Sequence, residues 1–494
     1  MDLPNNRVGL GIACLLFSFL CISTSYSQTS DVSPGEIQAL QKQLQSLQSQ
    51  MAEVQGQISR LSARGSQSPS ANTSAAQQSA DQDKQEVAGE LNKQAKHQTG
   101  DAVATYETYS QDSQAAPRVD NSPLDPNFPG YFRLPGTKTL LKIGGYFKND
   151  FIRDLRPAGD TERFIPSSIP VPTSGGGTNS TVSVRPTRLN LDFLIPVEDV
   201  GSVRFFVEGD LFGSSSTTPR MRHAYAQMKN FLIGQTFSNF QDPDSGPDQL
   251  DFQGPNAQVS LRNPQFRYAF PLAEKTSFRL SLEKASSDIA FKTPEFNALP
   301  SNQAPDGVAT LRHDMDSGHI QLSGLFRSVG AFLPTGVSDS VFAWGFNLTG
   351  SQRAFGKDTF VYQGAYGNGI ERYLNDTSGL GIDAAVKSTQ DPHLKAVPVV
   401  AAYGSYQHFW IDKVRSSVMY GFVQVDNTNF QPSTVFHQSN YTAANVIWNV
   451  YGSLHVGTEF LYGWVVKKDG STGNVPRMML SAKYNFVKAQ STGK

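Results

Sequence analysis

Arg188-Leu189-Asn190-Leu191-Asp192-Phe193-Leu194-Ile195 is the stretch that decides the fold. Leu189, Leu191, Phe193 and Ile195 fall on one face of an extended chain, and Arg188, Asn190 and Asp192 fall on the other. Side chains alternate across a strand, so this run presents one apolar face and one face that carries charge. Val203, Phe205, Val207 and Leu211 repeat the pattern, as do Phe278, Leu280 and Leu282. Read onward at period 2, the chain between about 138 and 486 yields sixteen candidate strands. Short links at 196–201, 229–230, 271–275, 316–318, 353–357, 410–413 and 450–452 alternate with long ones. The long ones lie at 154–181, 213–218, 239–256, 293–306, 330–340, 369–393, 427–436 and 468–474. Seven short and eight long connections suit sixteen antiparallel strands with both ends periplasmic. Short periplasmic turns beside longer outer loops are the pattern of an outer-membrane barrel.

Composition agrees. Of 494 residues 38% are hydrophobic, yet the chain holds 42 Gly and 32 Phe and is 11% aromatic. Mean hydropathy is -0.35. A bundle of membrane helices needs repeated apolar runs of roughly 20 residues, and the one run of that kind lies at the extreme N-terminus. A disordered chain would be poor in aromatics. Lys plus Arg number 42 against 43 Asp plus Glu, so no basic excess marks a nucleic-acid partner. The competing fold is a soluble propeller or sandwich. No blade-length repeat is present, and all four tryptophans (Trp344, Trp410, Trp448 and Trp464) fall in candidate strands or at their ends, as interfacial belts require. The last strand closes on Tyr484-Asn485-Phe486, similar to an outer-membrane assembly signal, with a tail at 487–494.

Residues 1–27 read as a secretory signal, with Arg7, an apolar core at 8–22 and small residues at Ser25 and Ser27. Cys14 and Cys21 are the chain's two cysteines, and Phe19 and Leu20 argue against a lipoprotein site at Cys21. Cleavage is expected to leave no thiol for disulfides, metals or nucleophilic catalysis. The segment 31–64 carries Ile37, Leu40, Leu44, Leu47, Met51, Val54, Ile58 and Leu61 at spacings of 3, 4, 3, 4, 3, 4 and 3. This is an a/d seam, and a strict heptad favours a supercoil over a lone surface helix, whose apolar stripe is wider. Gln41, Gln43, Gln48, Gln50, Gln55 and Gln57 flank it without charge, which fits self-association. From 65 to 129 the chain becomes a Ser-, Gln- and Ala-rich tether that cannot bury a core. The expected architecture is an all-β transmembrane barrel of about sixteen strands, at 130–486, preceded by an α-helical coiled coil in the periplasm.

The N-terminal part of the barrel resembles the DcaP-like family of trimeric outer-membrane porins. The resemblance rests on Leu134-Pro135-Gly136-Thr137, Leu141-Lys142-Ile143-Gly144-Gly145-Tyr146, Glu208-Gly209-Asp210 and Arg220-Met221-Arg222-His223-Ala224-Tyr225. Gly234-Gln235-Thr236-Phe237-Ser238-Asn239-Phe240 and Arg262-Asn263-Pro264-Gln265-Phe266-Arg267-Tyr268 complete it, over about 130–285. It implies a homotrimer in outer-membrane lipid and lipopolysaccharide that passes small organic anions, dicarboxylates among them, with no cofactor. A siderophore-specific porin is a neighbouring possibility, and an adhesin that ties the outer membrane to the cell wall is one of a different class.

If Leu189, Phe205, Leu261 and Leu280 face lipid, the opposite parity carries Arg188, Arg204, Arg262 and Arg279, joined by Arg220, Arg222 and Arg267. A charge on the lipid face costs roughly 2–4 kcal/mol near the midplane, which favours the inward assignment. Arg remains charged and offers forked donors to a carboxylate, so such a ladder would conduct anions while holding each loosely. The alternative is that these arginines pair with Asp192, Glu208, Asp210 and Glu283 as wall filling. The third long link carries Asp242, Asp244, Asp248 and Asp251 and no cation. Resemblance to trimeric porins implies that it folds inward and sets acids against the Arg wall; otherwise it stays outside, solvated or on a divalent cation. No Gly-x-Ser-x-Gly, His-Glu-x-x-His or Walker loop is present, so an enzyme is not expected. His313, Asp314 and Asp316 are placed at a periplasmic turn, and His223, His319, His408 and His455 read as isolated structural residues. A plugged transporter uses about 22 strands, more than this chain supplies.

Overall fold

The computed structural model describes residues 131–486, apart from 173–176, 198–200, 215, 291–298, 333–337, 389–390 and 392. The expected signal (1–27), heptad segment (31–64), tether (65–129) and tail (487–494) lie outside the described residues. Sixteen long strands form one closed antiparallel barrel. They are β1 Leu140–Asp154, β2 Arg188–Val197, β3 Gly201–Asp210, β4 Arg220–Met228, β5 Phe231–Phe237 and β6 Arg262–Ala273. Next come β7 Thr276–Glu283, β8 Asp306–Met315, β9 Gly318–Phe332, β10 Ser338–Arg353 and β11 Thr359–Asn368. The last five are β12 Pro398–Ile411, β13 Val414–Val425, β14 Phe436–Tyr451, β15 Leu454–Lys467 and β16 Thr472–Asn485. Each pairs with its successor, and β16 returns to β1 from Tyr146 opposite Asn485 to Asp154 opposite Arg477. Closure leaves no unpaired edge, which hydrocarbon demands.

Three short segments extend the ladders. Phe132–Arg133 folds back on Leu140 and Leu141 at the start of β1. Asn179–Ser183 continues the β2 side of β1, with Ser183 opposite Asp150, and Leu299–Ser301 continues the β8 side of β9. Both are upper pieces of strands that break before the membrane span. Every link expected from the sequence falls where the barrel places one, and the long links share one end. Those used below are L1 (155–187), L2 (211–219), L3 (238–261), L4 (284–305) and L6 (369–397).

Alternation sorts the two faces. Leu189, Phe205, Leu280, Leu322 and Leu480 are exposed on the outer surface at 40–60%, while their strand neighbours Arg188, Arg204, Arg279, Gln321 and Met479 are below 8%. Among the described residues no helix is long and apolar enough to cross a membrane; the strands carry the chain across. Leu280, in the middle of β7, tests the assignment. Leu280→Arg should lower unfolding stability in lipid vesicles by about 2–4 kcal/mol. A urea titration that moves by less than about 1 kcal/mol would remove Leu280 from the hydrocarbon face.

Candidate functional site

The inward side of β2–β7 is rich in arginine. Arg204 donates from Nε and Nη2 to the two carboxylate oxygens of Asp192, at 2.8 and 2.6 Å. Arg220 makes a second fork onto Asp210, at 3.0 and 2.7 Å. Arg222 reaches Glu208 at 3.2 Å and Asp210 at 2.9 Å, and Arg188 approaches Glu208 at 3.6 Å. Arg267 donates to Gln265 Oε1 and to the Phe237 carbonyl, and Arg279 donates to Gln321 Oε1. The described part of this wall thus sets six guanidinium groups against the carboxylates of Asp192, Glu208, Asp210 and Glu283, an excess of two positive charges. Internal pairing, the alternative to an open ladder, is present at 188–222.

Two local features break the simple alternation. Glu208 pairs with His223 and Gly209 with Met221, so Arg222 is an extra residue in a β-bulge. That bulge lets Arg220, Arg222 and His223 all turn inward. Leu261, expected on the lipid face, packs against the apolar cluster inside the barrel. Arg262, half-buried at the start of β6, pairs across the ladder with Phe237 and sets its guanidinium 5.7 Å from that buried ring, which itself packs on His223. Arg267, five residues on, stays inside.

L3 folds into the barrel and runs around the wall opposite β2–β5, with its anchors in chain order. The Asn239 carbonyl accepts Thr310 Oγ1 at 2.8 Å, and the Phe240 carbonyl accepts Asn347 Nδ2 at 2.9 Å. Asp242 takes His319 Nε2 and Thr349 Oγ1 at 2.7 Å, with Arg312 Nη1 at 3.3 Å. Tyr403 donates to the Ser245 carbonyl at 3.0 Å. Asp248 accepts from Gln407 and Arg415, both at 2.6 Å. The Leu250 amide donates to Glu459 at 2.7 Å, and the Leu250 carbonyl accepts Lys148 Nζ at 2.7 Å. The aspartates therefore do not face the Arg wall across the channel. Asp242, Asp244 and Asp248 turn to the far wall, and Asp251 accepts the amides of Phe164 and Gly254 at 3.1 and 2.9 Å. A carboxylate inside a barrel needs a partner, and Arg312, His319 and Arg415 supply it. His319 is thus a loop anchor, not an isolated residue. Strand parity puts Arg312 and Arg415 inward from sequence; which loop reaches them is tertiary information.

The upper interior holds an apolar layer between the loops and the wall. Phe164 and Ile169 from L1, Phe240 and Val259 from L3, and Ile370 and Leu374 from L6 pack on inward residues of β12–β16 such as Val423, Tyr441 and Val465. Burying these six side chains contributes on the order of 10 kcal/mol, before the entropy of ordering the loops is subtracted. Glycines make the seat. A Cβ at Gly463 would come within 2.9 Å of Phe164, and one at Gly457 within 3.1 Å of Leu250. Below this layer, Tyr131 enters the periplasmic mouth and hydrogen-bonds Asp192 beside Arg204.

A family model described as DcaP outer membrane protein matches residues 135–486. The crystal structure of the outer membrane channel DcaP of Acinetobacter baumannii superposes with a TM-score of 0.63 at 22% identity, over 72% of this chain and 99% of that one. An anion-selective porin from Comamonas acidovorans gives 0.48 at 8% identity, over 70% and 100% of the two chains. A loop L8 deletion mutant of OmpT from Vibrio cholerae gives 0.44 at 13%, over 70% and 99%. No curated protein sequence matches.

Burial raises two loop carboxyls. Asp251 in L3 and Asp376 in L6 are each pushed up to about 6 by desolvation, which outweighs their hydrogen bonds from Gly254 and Phe164, and from Ser439 and Ser167. A carboxyl raised above its unfolded value binds its proton more tightly when docked. That contribution to docking is full below the unfolded value near 3.8 and is lost as pH rises through about 6. Mean single-channel conductance should therefore fall as pH drops from 7 to 5, with longer closed dwells. Asp251→Asn with Asp376→Asn should flatten the response, and a wild type indifferent to pH over this range contradicts the assignment.

Proposed function

The chain belongs to the DcaP outer membrane protein family, and on that premise we propose that it is a homotrimeric porin for passive diffusion of small organic anions, dicarboxylates among them. The observation that carries the reading is the excess of two positive charges on the inward side of β2–β7, facing a loop whose acids are turned the other way. The Arg220 side chain is partly exposed, whereas Arg267 and Arg279 are buried, donate to amide oxygens and act on an anion through their field. Low-dielectric walls focus that field and raise the local anion concentration. L3 narrows the passage from the opposite side, and its anchors keep it there. The heptad spacing from Ile37 to Leu61 supports the trimeric part of this reading. Family and fold point to transport and not to chemistry on a substrate.

Planar-bilayer recording of the full chain tests this. Three-step closures, a reversal potential displaced toward chloride in a KCl gradient, and block by millimolar succinate are expected. Arg267→Glu with Arg279→Glu changes the wall from an excess of two positive charges to two negative ones, and should abolish or reverse the anion preference. A silent barrel contradicts a porin. Selectivity unmoved by the double reversal means that the wall does not set it.

A further inference from the structure

Phe252 in L3 crosses to the arginine wall, where Phe212 and three arginines surround it. Its ring stacks on Phe212 of L2 with centroids 4.2 Å apart and planes 30° from parallel. The guanidinium carbons of Arg188, Arg220 and Arg222 lie 5.6, 5.9 and 5.6 Å from its centroid. Arg185 and Arg220 stand 4.6 and 5.5 Å from the Phe212 ring. The three arginines around Phe252 share Glu208 and Asp210, so that cluster keeps one positive charge in excess. A phenyl face attracts cations but carries no charge to neutralise them. Phe252 is 9% exposed there, so its ring covers the guanidinium groups it faces.

We propose that Phe252 is the residue that sets conductance and anion preference, because its ring occupies the carboxylate position formed by Arg188, Arg220 and Arg222. A solute carboxylate passing this level displaces the ring and takes over the guanidinium contacts. Planar aromatic carboxylates, which can stack on Phe212 while bonding these arginines, are the anions the site holds longest. The inference rests on the porin reading. It accounts for an aromatic side chain on a loop whose neighbours are docked through carboxylates and amides: Phe252 points at the arginine wall, whereas Asp248, Leu250 and Asp251 point at the strands behind the loop and at L1.

The test is single-channel recording of wild type, Phe252→Ala and Phe212→Ala in a KCl gradient, with benzoate and acetate as added anions. Heat-modifiable gel mobility verifies that each variant is folded. Phe252→Ala should raise conductance by roughly twofold and move the reversal potential further toward chloride, because an uncovered positive cluster raises local anion concentration. Phe212→Ala, which leaves L3 untouched, should raise conductance by less and lose the preference for benzoate block over acetate block. A silent wild type refutes the porin reading itself. A conducting wild type with Phe252→Ala unchanged in conductance and reversal potential overturns this inference alone. If Phe252→Ala does not fold, Phe212→Ala decides: a rise in conductance with loss of benzoate preference supports the proposal, and anything else overturns it.

Discussion

Hydrocarbon offers no partner to a peptide group, and the pairing of Tyr146–Asp154 with Arg477–Asn485 is the place where this chain meets that constraint. Without the seam, β1 and β16 would each present a row of bare amides and carbonyls to lipid. With it, every span is bonded on both sides and the two faces of the sheet become two solvents. The outer face is left to Leu, Phe, Val and Tyr, and the inner face is free to hold charge. The rest of the architecture is a consequence of that division, including the arginines, which are tolerated because they lie on the enclosed side.

Enclosure has its own cost, since charges inside the barrel cannot rely on bulk water. The structure meets it by pairing, at Arg204 with Asp192, Arg220 and Arg222 with Asp210, and Arg477 with Asp154. Forked pairs of this kind fix side-chain geometry more than they add stability. The upper half uses a different device, an apolar layer between loops and wall. A barrel of this width cannot fill itself with strand side chains alone, so L1, L3 and L6 bring Phe164, Phe240 and Ile370 into the interior.

How much of this was legible follows from the kind of signal each feature leaves. Alternation is local, and it placed all sixteen strands, their links and the inward side of Arg188, Arg204 and Arg279. It failed where one residue shifts the frame. The bulge at Arg222 admits both Arg222 and His223 to the inside, and Leu261 packs on the interior cluster in place of lipid. The DcaP-like motifs identified the family from the N-terminal half, and the family match extends to 486. Loop docking left no period to read. Asp242, Asp244, Asp248 and Asp251 stood out as a charge cluster, but the far-wall cations that face three of them lie about 70 to 170 residues away. The apolar residues of L1 and L6 leave no local signal, because their partners are on distant strands.

The chain-order arrangement of the L3 anchors has a bearing on assembly. Asn239 bonds to residue 310, Asp242 to residues 312–349, Ser245 to 403, Asp248 to 407 and 415, and Leu250 to 459. Full docking of L3 therefore requires every strand from β8 to β15 that carries an anchor to be in place. One loop thus registers the completeness of half the wall, and a defect in any of those strands leaves it with a missing attachment.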